Sequence, residues 1–157
     1  MSNLVEILLV DDSPEDVELT IRSLRRSKIV NDIFVAEDGA EALDFLFCRG
    51  QHSNRTFSDL PKLILLDLKL PKIDGLEVLK AIRADPRTKA IPVVVLTSSK
   101  EQRDLIQSYD LGVNAFVQKP VDFEQFGEAI RQIGMFWMLV NRAPPYGAFP
   151  SSKAQGA

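Results

Sequence analysis

Five short apolar runs, at residues 5–10, 33–36, 63–66, 92–96 and 115–117, alternate along this chain with segments of helical periodicity. Most of the runs are continuous. A strand that buries one face alternates apolar and polar residues, whereas a continuous run marks a strand covered on both faces, as in a parallel sheet. The segments between the runs have readable helix starts. Ser13 can cap the first, with Pro14 at its first position and Val17, Ile21 and Leu24 on one face. Asp38 and Glu41 form a capping-box-like pair ahead of Leu43 and Leu46. Leu76, Leu79 and Ile82 mark a third helix that ends before Asp85-Pro86. Ser99 starts a fourth, which Gly112 stops, and Asp122 starts a fifth. Strand–helix alternation of this kind predicts an α/β chain with a (βα)5 doubly wound, five-stranded parallel sheet and an extended C-terminal helix.

Composition narrows the class further. The chain has 157 residues, enough for one ordinary domain and too few for two. Its net charge of -3, without a lysine- or arginine-rich block, argues against nucleic acid as the main partner. Cys48 is the only cysteine, which excludes an intrachain disulfide and fits a reducing compartment. Met1-Ser2-Asn3 lacks the basic-then-apolar layout of a signal peptide, and no stretch reaches the ~20 apolar residues needed to span a bilayer. We therefore expect a cytoplasmic protein with a domain over residues 1–142 and a flexible tail over 143–157.

Open α/β sheets bind ligands at the carboxyl ends of their strands, and there this sequence places unusual residues. Asp11-Asp12 ends the first run, Asp67 the third, Thr97 the fourth, and Lys119 follows the fifth. A carboxylate at the end of a buried strand is costly without a partner or a task. Two unit charges about 4 Å apart repel by about 4 kcal/mol at an effective dielectric near 20. A hard divalent cation, Mg²⁺ or Mn²⁺, removes that repulsion and keeps positions open for phosphate oxygens. Asp12 and Asp67 are expected as direct ligands, Asp11 through water, and Lys69 through its backbone carbonyl. The Asp67 carboxylate is then placed to attack phosphorus, with Lys119 and the Thr97 hydroxyl receiving phosphoryl oxygens.

Taken together, Val10-Asp11-Asp12-Ser13, the segment from Asp67 to Gly75, Thr97-Ser98-Ser99 and Lys119-Pro120 resemble the response-regulator receiver domain of two-component signalling, a flavodoxin-like fold. Each motif alone is weak; their order and spacing are specific. The resemblance covers residues 6–133. It implies Mg²⁺-dependent phosphorylation of Asp67 from a phosphohistidine on a sensor histidine kinase, and a cis Lys119-Pro120 bond. It also places Phe116 at the aromatic switch position, where a phenylalanine has no hydroxyl to bond. Within the family, the polar insertion at 49–60 and the ending Phe136-Trp137 … Asn141-Arg142-Ala143-Pro144-Pro145 are similar to stand-alone regulators paired with bacterial phytochromes.

Other segments carry plainer expectations. Residues 49–60 form either a loop or a prolonged second helix; His52 within them is expected to face solvent, and Cys48 to be a packed helix residue. Asp74-Gly75 reads as a turn leading into a helix. The last helix is expected to reach residue 141, about 30 Å at 1.5 Å per residue. Residues 135–140 are apolar on every side and need burial on more than one face. A homodimer that uses Phe136, Trp137 and Leu139 is preferred over folding back or lying on a membrane. A phosphorelay intermediate is the nearest alternative role. A metal-dependent phosphohydrolase wants an aspartate two positions after its nucleophile, where Lys69 stands. A flavin-binding domain wants a phosphate loop where Asp11-Asp12 would repel phosphate.

Overall fold

The computed structural model describes residues 6–26, 32–97, 104 and 110–132. They form five parallel strands: β1 (Ile7–Val10), β2 (Ile33–Ala36), β3 (Leu63–Asp67), β4 (Val93–Thr97) and β5 (Ala115–Gln118). The sheet order is β2-β1-β3-β4-β5. The helices are α1 (Pro14–Arg26), α2 (Gly39–Leu46), α3 (Gly75–Ala84) and a last one at Phe123–Gln132. The doubly wound architecture expected from the alternating runs is the one observed. Asp104 is helical in the expected fourth helix; Ser99 and residues 100–103 and 105–109 lie outside the described residues, and Asp110 is already a turn with φ 52° ahead of Gly112. So do residues 133–157, and with them Phe136, Trp137, Leu139 and the tail.

Period-two alternation sorts the strand side chains into two cores. Leu8, Val10, Ile64, Leu66, Val93 and Val95 pack with Val78, Leu79 and Ile82 of α3 and Leu43, Phe45 and Leu46 of α2. Ile7, Leu9, Leu63, Leu65, Val94 and Leu96 pack with Leu24 of α1 and with Phe126 and Ala129 of the last helix. Every residue of β1, β3 and β4 is buried, as continuous runs require.

The helix starts follow the expected capping chemistry. Ser13 Oγ accepts from the Asp16 N–H at 3.3 Å. Asp38 accepts from Glu41 N–H at 2.7 Å, Asp74 from Glu77 N–H at 3.0 Å, and Asp122 from Gln125 N–H at 2.8 Å. Glu41 reaches back to the N–H of Glu37, one residue before the cap itself. Asp38 also pairs with Lys72 at 3.3 Å, and a Cβ on Gly39 would lie 2.0 Å from the Ile73 carbonyl oxygen. The loop after β3 is thereby seated on the start of α2.

Two expectations need correction. Cys48 is not a helix residue: α2 ends at Leu46, and Cys48 has φ 56° just beyond it. The Arg49 N–H donates to the Asp44 carbonyl at 3.0 Å, the closing bond of a Schellman turn made without glycine. His52 is not solvent-facing either, since its side chain is 16% exposed. Of the two alternatives for residues 49–60, the loop is the one observed, and it holds two 3₁₀ turns, Gly50–His52 and Phe57–Asp59. They fold over edge strand β2, whose Phe34 stacks on Phe45 at 4.3 Å, and His52 packs edge-on against both rings. The Arg55 guanidinium lies 3.6 Å from the Phe45 ring and donates to the carbonyls of Phe45 and Asp59. Covering an apolar edge decides the path of this segment.

Candidate functional site: an acidic pocket at the strand ends

The parallel register brings the ends of β1, β3 and β5 together. Asp11 and Asp67 are buried there while Asp12 is exposed, and one carboxylate oxygen from each lies within 4.8 Å of the others. Lys119, just past β5, follows a backbone bond from its N–H to the Thr97 carbonyl at 3.0 Å, and the Lys119-Pro120 bond is cis. Its Nζ lies 3.2 Å from Asp67 Oδ2 and 3.3 Å from Asp11 Oδ2. A cavity of about 510 Å³ opens over this group, lined by Asp12, Ser13, Asp16, Asp67, Lys69, Lys119 and Pro120.

Hydrogen bonding fixes one oxygen of each buried carboxylate. Asp11 Oδ1 accepts from Ser13 N–H at 3.0 Å, and Asp67 Oδ1 from Lys69 N–H at 3.2 Å. Among the described residues Asp11 Oδ2 is buried without a hydrogen bond, and it forms an ion pair with Lys119. Burial, reinforced by the Asp67 charge, pushes the Asp11 carboxyl up to about 6 against the opposing Ser13 N–H and Lys119. For Lys119 burial works against the charge, but the carboxylates of Asp16, Asp67 and Asp11 outweigh it and hold the ammonium well above its usual range.

Of the residues predicted from sequence, Asp11, Asp12, Asp67, Lys69 and Lys119 come together. Thr97 is buried at the end of β4 and does not line the cavity. Phe116 lies opposite Val95, half-buried against the core on the α2 and α3 side. Sequence reasoning missed Asp16, whose Oδ2 is 2.7 Å from Lys119 Nζ. No spacing marked it, because Asp12 precedes α1 and an acid in the first turn of a helix is ordinary.

The residues present fit a divalent cation. Three converging carboxylates with an unsatisfied buried oxygen are a hard-oxygen donor set, and Asp12 leaves the set open to solvent. A doubly wound sheet with an acidic pocket and a lysine at its strand ends defines a receiver. The chain belongs to the response regulator receiver domain family, whose model matches residues 7–131. Response regulator Rcp1 of Synechocystis sp. is 42% identical over 132 residues, which cover 84% of this chain and 88% of that protein. The bacteriophytochrome response regulator RtBRR is 51% identical with a TM-score of 0.81, covering 90% of this chain and 85% of that one. AtBRR, of the same description, is 52% identical with a TM-score of 0.79, covering 89% and 99%. The solved Rcp1 structure is a Mn²⁺-bound form, with a TM-score of 0.67 over 83% of this chain and 92% of that one. Receiver domains take Mg²⁺ or Mn²⁺ at such a pocket. Among the described residues, no helix is long and apolar enough to cross a membrane.

Proposed function

We propose that Asp67 accepts a phosphoryl group from a phosphohistidine of a sensor histidine kinase. The observation that carries this reading is the meeting of Asp11, Asp12 and Asp67 with Lys119 at the mouth of one pocket. An Asp67 oxygen forms the new O–P bond as the N–P bond of the donor breaks, and the imidazole nitrogen keeps the electron pair. The product is an acyl phosphate. Lys119 Nζ, 3.2 Å from Asp67 Oδ2, is placed to pair with a phosphoryl oxygen, and the Thr97 hydroxyl is assigned a second one. Asp11, Asp12, Asp67 and the Lys69 carbonyl would hold the cation, which supplies neutralisation of phosphoryl charge. Phe116, on edge strand β5 opposite Val95, is the proposed relay.

In this reading the protein is a signalling phosphoacceptor and not an enzyme acting on a separate substrate. The kinase partner is a bacterial phytochrome, supported by likeness to RtBRR and AtBRR, which are named for that system. The receiver spans residues 1–142 and 143–157 is a tail. Pairing of two copies through Phe136, Trp137 and Leu139 rests on the apolar sequence alone. Incubation with radiolabelled acetyl phosphate and Mg²⁺ tests the central step. Acid-labile label is expected on the wild type and lost in Asp67→Asn; label at the wild-type rate in that variant ends the assignment.

A further inference from the structure

Asp16 has no part in the phosphoacceptor reading, yet it makes the shortest contact in the pocket. Lys119 Nζ lies 2.7 Å from Asp16, against 3.2 Å from Asp67 and 3.3 Å from Asp11. Asp16 is also outside the group of carboxylates whose oxygens converge. Its backbone is fixed from the opposite direction, since its N–H is held by the Ser13 cap at the start of α1. The Lys119 side chain is only 15% exposed, so its ammonium has little water to fall back on and is held by these carboxylates. The oxygens it touches on Asp11 and Asp67 belong to the same two buried carboxylates that a cation would need. Lysine and cation therefore compete for them.

We propose that Asp16 is a positioning residue that draws Lys119 toward α1 and so leaves Asp11 and Asp67 available to a divalent cation. The proposal rests on the metal assignment above, and on no later step of phosphoryl transfer. Without Asp16 the ammonium would settle on Asp11 and Asp67, and a cation would have to displace it. Asp16 thus acts on the metal through the lysine.

A double-mutant cycle separates this from a direct electrostatic or structural role. Mn²⁺ affinity is measured by water-proton relaxation for wild type, Asp16→Asn, Lys119→Gln and the double variant, with circular dichroism confirming the fold of each. Asp16→Asn should weaken Mn²⁺ binding on the order of tenfold, the usual effect of losing a group that orients the immediate ligands. Lys119→Gln should tighten it, and in that background Asp16→Asn should have no effect. Equal weakening in both backgrounds makes Asp16 a direct contributor and overturns the proposal, as does no weakening in either. Asp16→Ser serves in the same cycle if the asparagine variant misfolds. Mn²⁺ binding with the expected cycle but no label on Asp67 would refute the phosphoacceptor reading alone; wild type without Mn²⁺ binding would overturn both.

Discussion

Gly75→Ala sets two opposite expectations against each other. Gly75 is the first residue of α3 and is buried against the backbone that carries Asp67. A Cβ at this position would lie 2.5 Å from the Asp67 carbonyl oxygen and 2.5 Å from Leu68 Cα, where ordinary contact begins at 3.4 Å. Roughly 0.9 Å must therefore be found, and both obstacles are backbone. The Gly75 N–H also donates to the Leu68 carbonyl at 3.0 Å, so the helix start cannot simply lift away without breaking that bond. Reduced freedom of the unfolded chain would favour alanine by about 0.4–1 kcal/mol. Overpacking costs about 1–3 kcal/mol. The net expectation is a loss of about 1–2 kcal/mol, or several degrees in Tm. Because the displaced atoms flank Asp67, labelling by acetyl phosphate should slow as well, by up to about a hundredfold for a shift near 1 Å. Thermal unfolding by circular dichroism and the labelling rate check both. A variant at least as stable as wild type, labelled at the wild-type rate, refutes the steric reasoning.

Asp11 makes metal-free stability depend on pH. Its carboxyl stands at about 6 in the folded protein against 3.8 for an ordinary aspartate, because of burial and the Asp67 charge. Between those values the folded state keeps a proton that the unfolded chain has lost, so stability falls as pH rises through the window, by at most about 3 kcal/mol. Urea midpoints in EDTA at pH 5 and 7 should show a drop that Asp11→Asn removes; an identical drop in that variant rules Asp11 out. The same proton must leave before a cation binds, so Mg²⁺ affinity measured by calorimetry should weaken as pH falls below about 6, and a flat profile would contradict it. His52→Phe should leave the protein as stable or raise its stability by about 1–2 kcal/mol, since among the described residues Nε2 is buried beside aromatic rings without a hydrogen bond. A lower urea midpoint would show that the 3.9 Å contact to Glu41 matters more.

The sheet was legible because burial on both faces leaves a continuous apolar run, a signal with few alternatives. The helix starts at Ser13, Asp38, Asp74 and Asp122 were legible because capping is local chemistry. Cys48 was not, because it closes α2 in a left-handed turn where the sequence offers no glycine as a marker. Residues 49–60 are mostly polar, and their path is set by Arg55 on Phe45 and His52 on Phe34, contacts that exist only once β2 is an edge. Asp16 was hidden for a different reason. An acid in the first turn of a helix is already explained by the helix dipole, so nothing in the sequence demands a second role for it.

Four carboxylates, Asp11, Asp12, Asp16 and Asp67, meet at this pocket, and Lys119 pairs with three of them. That is a local conflict of the kind found where function outweighs stability. A buried carboxylate oxygen without a hydrogen bond and an ammonium divided three ways are two signs of the same excess of negative charge. A bound cation would relieve it, so metal should stabilise the fold by mass action as well as prepare Asp67 for a phosphoryl group. Perturbations at Asp11, Asp16 and Gly75 all act on the oxygens of Asp11 and Asp67, directly, through Lys119 or through the backbone. Their effects on cation affinity are therefore expected to be non-additive when combined, as for groups within one network. Additive effects would mean that the pocket responds as separate charges, and that Lys119 does not couple α1 to the strand ends.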